Sequence, residues 1–541
     1  MKKISCIKNK SFIISLGIIS ICIVFFVTYL SQNCCFFDDD YFYAMYDFQE
    51  SVFSCLNFQK EHGAGYIGFF LCKFFSFKLP NLLGIHPTDF MGIQQGIFQG
   101  IISVVILLLI AKFSIIYKKS KLLYLISFLY LSVYLFFSIF MYDAWIFIVN
   151  YGFYRYLFSF LFFTPLLYFL HQNTTELDVN KNIFQLILIC LCAFVLGTGI
   201  ELSFYITAFF IALIIITNLF CYFIKKPLMF KINKNFYLPA IFLYTAMTLF
   251  ITSEGYKTVA GQRGMDNIHL TIDTIKEYIV SFWQICFVNE IVYWLVFLIV
   301  LISCICFAKK KGETSKILFP IYLQFSILTL FFSLLLCDKT FYGNFFLLHH
   351  NVQFLYKMHI LFPLLILISY FLEQIESTKK FVCVLFVIFF TLSIPYFVKK
   401  HLFSDYTKSH LYVTYKAKQN FYITEKMLRF YYLKKQIPII QYKIDFYEYM
   451  FQDYDLEKPE IQLENRLSRM YYPQIYKDKT SIEKGYNLSF NAIEEFYENG
   501  GVFTEEELQN IKFSNLFNED FVLNTKGKKL TVAEIKERIK E

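Results

Sequence analysis

The chain has 541 residues, of which 57% are hydrophobic and 17% are charged, and its mean hydropathy is +0.48. A soluble protein of this length covers its surface with more charge, so the composition excludes a soluble globular protein. The formal net charge of +9 does not indicate nucleic-acid binding, because the lysines cluster in short segments between apolar runs. The composition therefore predicts an α-helical integral membrane protein with many spans.

Several catalytic and transport motifs do not occur in the sequence. It has no Gly-x-x-x-x-Gly-Lys-Ser/Thr phosphate loop, which excludes an ATP-driven pump of that type, and no Gly-x-Ser-x-Gly or His-Glu-x-x-His motif. The cysteines form no Cys-x-x-Cys pairs at zinc spacing, and most behave as small hydrophobic residues inside apolar runs. Carboxylates are scarce within these runs, which argues against a proton-coupled carrier.

Apolar runs of roughly 17–25 residues, the length that crosses a bilayer, recur up to residue 400. The first follows an N-terminus rich in lysine and is not followed by a small-x-small cleavage site, so we interpret it as a retained helix. The runs predict about eleven transmembrane helices, at residues 11–30, 92–113, 122–141, 153–170, 183–200, 203–223, 237–251, 291–307, 317–336, 354–372 and 381–398.

Lysine-rich segments alternate with the apolar runs. If the N-terminus is cytoplasmic, the clusters at 118–121, 225–234, 309–316 and 379–380 all fall in cytoplasmic loops, as the positive-inside rule requires. An odd number of spans then places the C-terminus outside. High Lys, Ile, Phe and Tyr contents with little Arg indicate a low-GC bacterial genome. The sequence thus predicts a multi-pass protein of the bacterial cell (inner) membrane.

The composition changes after residue 400 and divides the chain into two domains. Residues 1–400 are the polytopic domain, with a first outer loop at 31–91 and apolar stretches at 66–77 and 276–288 that are typical of helices lying in the membrane interface. Residues 401–541 are rich in Lys, Glu and Tyr. Capping-box patterns at Thr504 and Thr531 predict a small, mostly α-helical extracytoplasmic domain here. The predicted fold class is an all-α integral membrane protein with this outer appendage.

Three consecutive acidic residues, Asp38, Asp39 and Asp40, open the first outer loop and are followed by Tyr41. A carboxylate at the rim of a low-dielectric cavity has a raised pKa and can accept a proton from an acceptor hydroxyl. Two of them, Asp38 and Asp39, could also hold Mg²⁺ or Mn²⁺, which would neutralise a phosphate leaving group. The alternative is a solvated acidic loop that helps to keep this side of the protein outside.

The arrangement of this region resembles the GT-C superfamily of membrane glycosyltransferases, and also related bacterial membrane families of unassigned function. The shared features are a first helix with a cytoplasmic N-terminus, an outer loop that opens with Asp-Asp-x-Tyr-type residues, an interfacial helix and many further spans. The resemblance implies a polyprenyl-phosphate-linked sugar as donor. It also implies that an essential carboxylate lies among Asp38, Asp39 and Asp40, with Tyr41 beside them.

Further polar residues fall at the predicted outer ends of spans. Glu201 ends the tight hairpin Gly-Thr-Gly-Ile-Glu and could contact a metal or a substrate hydroxyl, or act as a helix cap. Lys257 and Arg263 lie in a glycine-containing outer loop, where Arg263 could bind a lipid phosphate in a bidentate way. The Pro-Gly-Asn-type loop expected from the related families is missing, so an ordinary outer loop is the alternative.

The remaining candidates are aromatic-flanked or paired cations. Arg155 enters the predicted membrane among tyrosines and phenylalanines, and either snorkels to the headgroups or binds a phosphate. His349 and His350 lie near Lys357 and His359 at another outer mouth. Paired histidines bind metals or move protons, but no carboxylate partner is recognisable in the sequence, which favours a position at headgroup level.

The sequence therefore predicts a membrane glycosyltransferase that moves a sugar from a polyprenyl-phosphate donor to a cell-envelope glycan or lipid on the outer face. Mg²⁺ or Mn²⁺ is the only cofactor that it suggests, and no nucleic-acid partner is expected. Two alternatives stay open. One is a transporter or flippase of envelope lipid or polysaccharide, and the other is a non-catalytic envelope assembly protein.

Overall fold

The computed structural model of the chain describes residues 2–31, 74–75, 79–83, 90, 93–142, 153, 157–175, 183–198, 201–253, 272–288, 290–342, 350–375, 440–442, 521–525 and 528–531. Most of these residues are helical, which confirms the predicted helical class. The apolar sequence explains this, because a backbone within lipid must satisfy its own hydrogen bonds and an α-helix does so within a single segment.

The helices divide the polytopic region into long apolar rods with short connections. They are α1 (Lys2–Ser31), α2 (Leu79–Leu82), α3 (Ile93–Ala111), α4 (Lys121–Tyr142), α5 (Phe160–Thr175), α6 (Ile183–Gly197), α7 (Glu201–Phe223), α8 (Tyr237–Ile251), α9 (Ile272–Trp283), α10 (Ile291–Lys311), α11 (Thr314–Tyr342) and α12 (His350–Gln374). Short 3-10 turns extend α3 and precede α8, and a π-helical turn, Gln284–Val288, follows α9.

Six helical segments among the described residues are long and apolar enough to cross a membrane. They are Lys10–Tyr29, Ile93–Ile115, Ser203–Phe223, Ile291–Lys311, Thr314–Ser333 and Phe354–Gln374. Each coincides with a predicted span. The predicted spans at 122–141, 153–170, 183–200 and 237–251 are helical over much of their length but fall short of that criterion, and 381–398 lies outside the described residues. The total of about eleven spans therefore stays a prediction.

Helix α1 runs antiparallel to α3. Near one end of the pair, Gly100 lies directly against Val24, because a Cβ atom on Gly100 would be 2.8 Å from the Val24 Cα. Towards the other end, the ring of Phe12 packs beside Tyr124, whose hydroxyl donates a hydrogen bond to the Leu108 carbonyl. Ser31, at the end of α1, is therefore at the same end of the bundle as the start of α3.

The opposite ends of these helices gather several charged groups, and we call this region the lysine-rich end. Lys118 Nζ donates hydrogen bonds to the carbonyls of Leu372 and Ile375 at the end of α12. The Lys316 ammonium forms ion pairs of 2.8 Å with Glu313 and 3.9 Å with Glu373. These contacts bring together the end of α3, the junction between α10 and α11, and the end of α12.

The other end, from which α3, α10 and α12 begin, is called the polar-pair end here. Helix α12 is parallel to α10, because Cys304 Sγ contacts the Leu367 carbonyl near the end of both helices. The Tyr134 hydroxyl of α4 donates to the carbonyl of Lys357, early in α12. Since α4 is antiparallel to α3, Tyr134 and Lys357 lie towards the end at which α1 finishes.

The described part of residues 401–541 consists of β-strands. Strands β1 (Ile440–Tyr442), β2 (Phe521–Thr525) and β3 (Lys528–Thr531) form an antiparallel sheet in the order β1-β2-β3. Leu523 pairs with Ile440 on one side and with Leu530 on the other. The sequence did not predict these strands. Thr531 ends β3, and the helix predicted to follow it lies outside the described residues, so its role as a helix cap stays a prediction. The rest of this predicted domain lies outside the described residues.

Candidate functional site

A buried ion pair joins α12 to the residue that precedes α10. Lys357 Nζ lies 2.9 Å from Glu290 Oε1, and the two side chains are only 6% and 8% exposed. Lys357 is the fourth residue of the apolar segment Phe354–Gln374, and Glu290 directly precedes Ile291–Lys311. The pair therefore lies near one end of the spans and not at their middle.

Four buried tyrosines interact electrostatically with the Glu290 carboxylate: Tyr130, Tyr134, Tyr293 and Tyr356. Two of these tyrosines also hydrogen-bond to neighbouring segments. The Tyr293 hydroxyl donates to Gln324 Oε1 over 2.7 Å, and the Tyr356 hydroxyl donates to the Cys286 carbonyl over 3.0 Å. Their hydroxyls and ring faces are groups that ligand sites commonly use to orient a bound molecule. We call the ion pair and these four residues the tyrosine site.

A hydrogen-bonded serine and histidine lie close to the tyrosine site along α12. Ser203 Oγ is 3.2 Å from His359 Nε2, and both residues are fully buried. The other ring nitrogen of His359 contacts the Leu355 carbonyl at 2.7 Å, which it can do only as a donor. Nε2 is then the acceptor in the neutral ring, and Ser203 donates to it. Phe160 and Phe163 of α5 pack against the imidazole ring, with centroid distances of 4.8 and 5.0 Å. The hydrogen bond between Ser203 and His359 joins α7 to α12.

Packed phenylalanine rings separate the tyrosine site from the lysine-rich end. Phe362, one turn beyond His359 on α12, has its ring 5.1 Å from the ring of Phe113 and 5.1 Å from that of Phe163. Phe160 stacks against the same Phe362 ring at 6.1 Å. All four phenylalanines are at most 1% exposed. We call them the aromatic layer, and two of them, Phe160 and Phe163, also pack against the His359 ring.

The lysine-rich end also holds buried polar side chains. The Tyr117 hydroxyl is 2.6 Å from His171 Nε2, and Lys316 lies over the Tyr117 ring at 5.3 Å. Burial raises the pKa of the Glu313 carboxyl, but hydrogen bonds from Lys316 and Tyr370 outweigh this effect, and its pKa lies below the ordinary value. These contacts fasten helix ends to one another.

Most of the predicted site residues lie outside the part of the chain that the structure describes. Of these, Asp38, Asp39, Asp40, Tyr41, Arg155, Lys257, Arg263 and His349 lie outside the described residues. Two others begin helices, Glu201 at the start of α7 and His350 at the start of α12, but nothing is described of their side chains. Both helix starts belong to the polar-pair end, because α7 and α12 meet through Ser203 and His359 near their beginnings.

Sequence reasoning named Lys357 and His359 but missed their partners. Glu290 is distant from Lys357 in the chain, and the signal that could have found it is a carboxylate directly before a long apolar run. Gln95 was missed as well. It is 2% exposed on α3, and neither of its amide atoms has a hydrogen-bond partner in the described structure. The sequence signal for Gln95 is an amide side chain within an apolar span, because burying an amide without a hydrogen-bond partner is unfavourable.

No group of three or more His, Cys, Asp or Glu side chains that could hold a metal ion occurs within the described residues. The predicted ligands Asp38 and Asp39 are not among those residues, so a Mg²⁺ or Mn²⁺ site there stays a prediction. Comparison of the chain with protein families, with curated proteins and with solved structures finds no match.

Proposed function

We propose that the protein is an integral membrane glycosyltransferase of the cell envelope. It transfers a sugar from a polyprenyl-phosphate donor to an envelope glycan or lipid, on the extracytoplasmic side of the cell (inner) membrane. One of Asp38, Asp39 and Asp40 acts as the general base or, with Mg²⁺ or Mn²⁺, as a metal ligand. Cations among Arg155, Lys257 and Arg263 contact the donor phosphate.

The observation that supports the proposal best is the buried tyrosine site at the polar-pair end. A charged pair removed from water is unfavourable unless it is well compensated, and such groups are concentrated at functional sites. The Glu290–Lys357 pair lies at the end of the bundle where α1 finishes at Ser31. Asp38 follows seven residues later in the sequence, a stretch that spans at most roughly 25 Å when extended. The triplet can therefore reach this end of the bundle.

The aromatic layer favours an enzyme over a transporter. A transporter binds its substrate near the middle of the membrane and needs polar groups there. In this bundle the Glu290–Lys357 ion pair is near the ends of α10 and α12, and the closely packed phenylalanines of the aromatic layer lie between it and the lysine-rich end. Chemistry at one face of the membrane requires no polar path through that centre.

The acidic triplet is tested by conservative substitution. We expect at least one of Asp38→Asn, Asp39→Asn and Asp40→Asn to lower the amount of glycan product by about 10²–10⁴-fold, because the amide cannot accept the proton. The envelope glycans and glycolipids of cells that make each variant are compared by mass spectrometry. Asp273→Asn is the matched control, since Asp273 is an exposed acid that pairs with Lys276 at 3.5 Å.

The outcome is interpreted only where the variant protein inserts and folds like the wild type, as judged by its amount in the membrane and its thermal unfolding in detergent. Full retention of the glycan product in all three single variants and in the triple variant would show that the triplet is not catalytic. A glycan profile that does not change when the whole protein is deleted would rule out the glycosyltransferase itself.

A further inference from the structure

Helix α9 exposes an apolar surface beside the tyrosine site. Ile275, Ile279 and Trp283 are spaced four residues apart, so they share one face of the helix, and they are 39%, 52% and 59% exposed. The charged side chains Asp273 and Lys276 border this face and are strongly exposed. Helix α9 continues into the π-helical turn, and the apolar part of this continuous helix, Ile279–Val288, is shorter than a transmembrane span.

The exposed face of α9 continues into the lipid-facing surface of α10. Four apolar residues of α10 at helical spacing are each about half exposed: Ile291, Leu295, Leu298 and Ile302. Val288, at the end of the π-helical turn between the two helices, is 41% exposed and joins the two surfaces. A span of such hydropathy directs its exposed side chains towards lipid, so the apolar surface of α9 begins where the lipid contact of α10 ends.

Aromatic contacts tie α9 to the start of α10. The Phe287 ring stacks on both Trp283 and Trp294, with centroid distances of 4.8 Å in each case. The Cys286 carbonyl accepts hydrogen bonds from Trp294 Nε1 and from the Tyr356 hydroxyl, at 2.6 and 3.0 Å. The exposed Trp283 is thus linked by packed groups to the segment that leads into Glu290.

We propose that α9 lies in the headgroup region of the bilayer and binds lipid through Ile275, Ile279 and Trp283. The continuity with α10 identifies lipid, and not another protein, as the occupant of this surface. Tryptophan suits this depth, because its ring is apolar and its N–H can remain hydrated. The amphipathic helix then holds the connection to Glu290 at headgroup level, where a lipid-linked substrate would present its polar head. The lipid contact itself does not depend on the proposed activity.

Tryptophan fluorescence tests the lipid contact. The chain has 3 Trp, and Trp145→Phe leaves Trp283 and Trp294. The further variant Trp145→Phe/Trp283→Phe leaves Trp294 alone, and the difference between their signals reports Trp283 without disturbing the hydrogen bond of Trp294. Both full-length variants are reconstituted in nanodiscs of phosphatidylcholine brominated either near the headgroup or near the methyl end of its acyl chains.

We expect the Trp283 signal to be quenched by bromine near the headgroup at least twofold more than by bromine near the methyl end. Two results would overturn the proposal. If acrylamide in the water quenches Trp283 and neither brominated lipid does, the helix faces solvent. If none of the three quenchers reaches Trp283, another part of the protein covers the surface.

Discussion

At the scale of single residues, the Glu290–Lys357 pair is the most informative feature of the bundle. Neither residue is unusual in the sequence, where one precedes an apolar run and the other interrupts one. Their burial changes this interpretation, because each charge would be strongly unfavourable in the bundle without the other. Lys357 had been assigned to the headgroup level because no carboxylate partner was recognisable, and the structure supplies that partner.

Breaking the pair should destabilise the protein more than breaking a surface pair. We expect Lys357→Met alone, or Glu290→Gln alone, to lower the free energy of unfolding by about 3–5 kcal/mol, because each leaves a buried group uncompensated. The double variant should lose less than the sum of the two single losses. Reversible unfolding of the purified protein in detergent, followed by circular dichroism, measures all three values.

Lys276→Met is the control for this cycle, since the Lys276–Asp273 pair is exposed and should contribute less than about 1 kcal/mol. Single variants as stable as this control would contradict the importance of the buried pair. Additive losses in the double variant would show that the two side chains do not interact.

At the scale of helices, the close approach of α1 to α3 depends on a glycine. Gly100 on α3 leaves the room in which the backbone of α1 passes at Val24. Small residues allow such close approach between helices in a membrane, where lipid competes with any larger apolar side chain. The sequence shows that Gly100 lies in an apolar run. It does not show whether this glycine faces another helix or lipid.

Gly100→Ala should therefore destabilise the bundle, although alanine is the better helix former. Its Cβ would meet the Val24 Cα at 2.8 Å, and we expect a loss of about 1–3 kcal/mol from overpacking. Gly17→Ala on α1 is the matched control, because nothing lies within 4 Å of the added atom, and it should be neutral or slightly stabilising. Thermal unfolding in one detergent compares the two variants, and equal midpoints would contradict the packing of α1 on α3.

At the scale of the whole molecule, the ion pairs among the described residues lie towards the two ends of the bundle. The tyrosine site lies towards one end and the Tyr117–His171 pair lies at the other, with the aromatic layer separating them. The lysines of 118–121 and 309–316 share the second end. The assignment of that end to the cytoplasm, and of residues 401–541 to the outside, stays a prediction from the positive-inside rule.

Reporter fusions test this orientation together with the number of spans. Alkaline phosphatase is active only outside the cytoplasm, so we expect fusions after Ser120 and after Lys311 to be inactive and a fusion after Thr198 to be active. A fusion after Lys400 should be active if about eleven helices precede it. A cytoplasmic reporter fused at the same positions should give the reverse pattern. An inactive phosphatase after Lys400 would require an even number of spans.

The sequence by itself determined the class of the protein and the places of its apolar helices. Hydropathy accumulates over a contiguous segment, so runs such as 93–115 and 354–374 are readable without a fold. A second local pattern, three consecutive acidic residues, identified Asp38, Asp39 and Asp40 as a candidate site. Local patterns did not reveal the pairing of β1 with β2, which joins residues that are far apart in the chain.

Only the tertiary structure decided which distant residues meet. The pairing of Glu290 with Lys357, of Ser203 with His359 and of Tyr117 with His171 depends on helix order and rotation, for which hydropathy carries little information. The sequence predicted an interfacial helix at 276–288, but which of its faces is exposed depends on the helices that cover it. Packing supplies these contacts from parts of the chain that no local pattern connects.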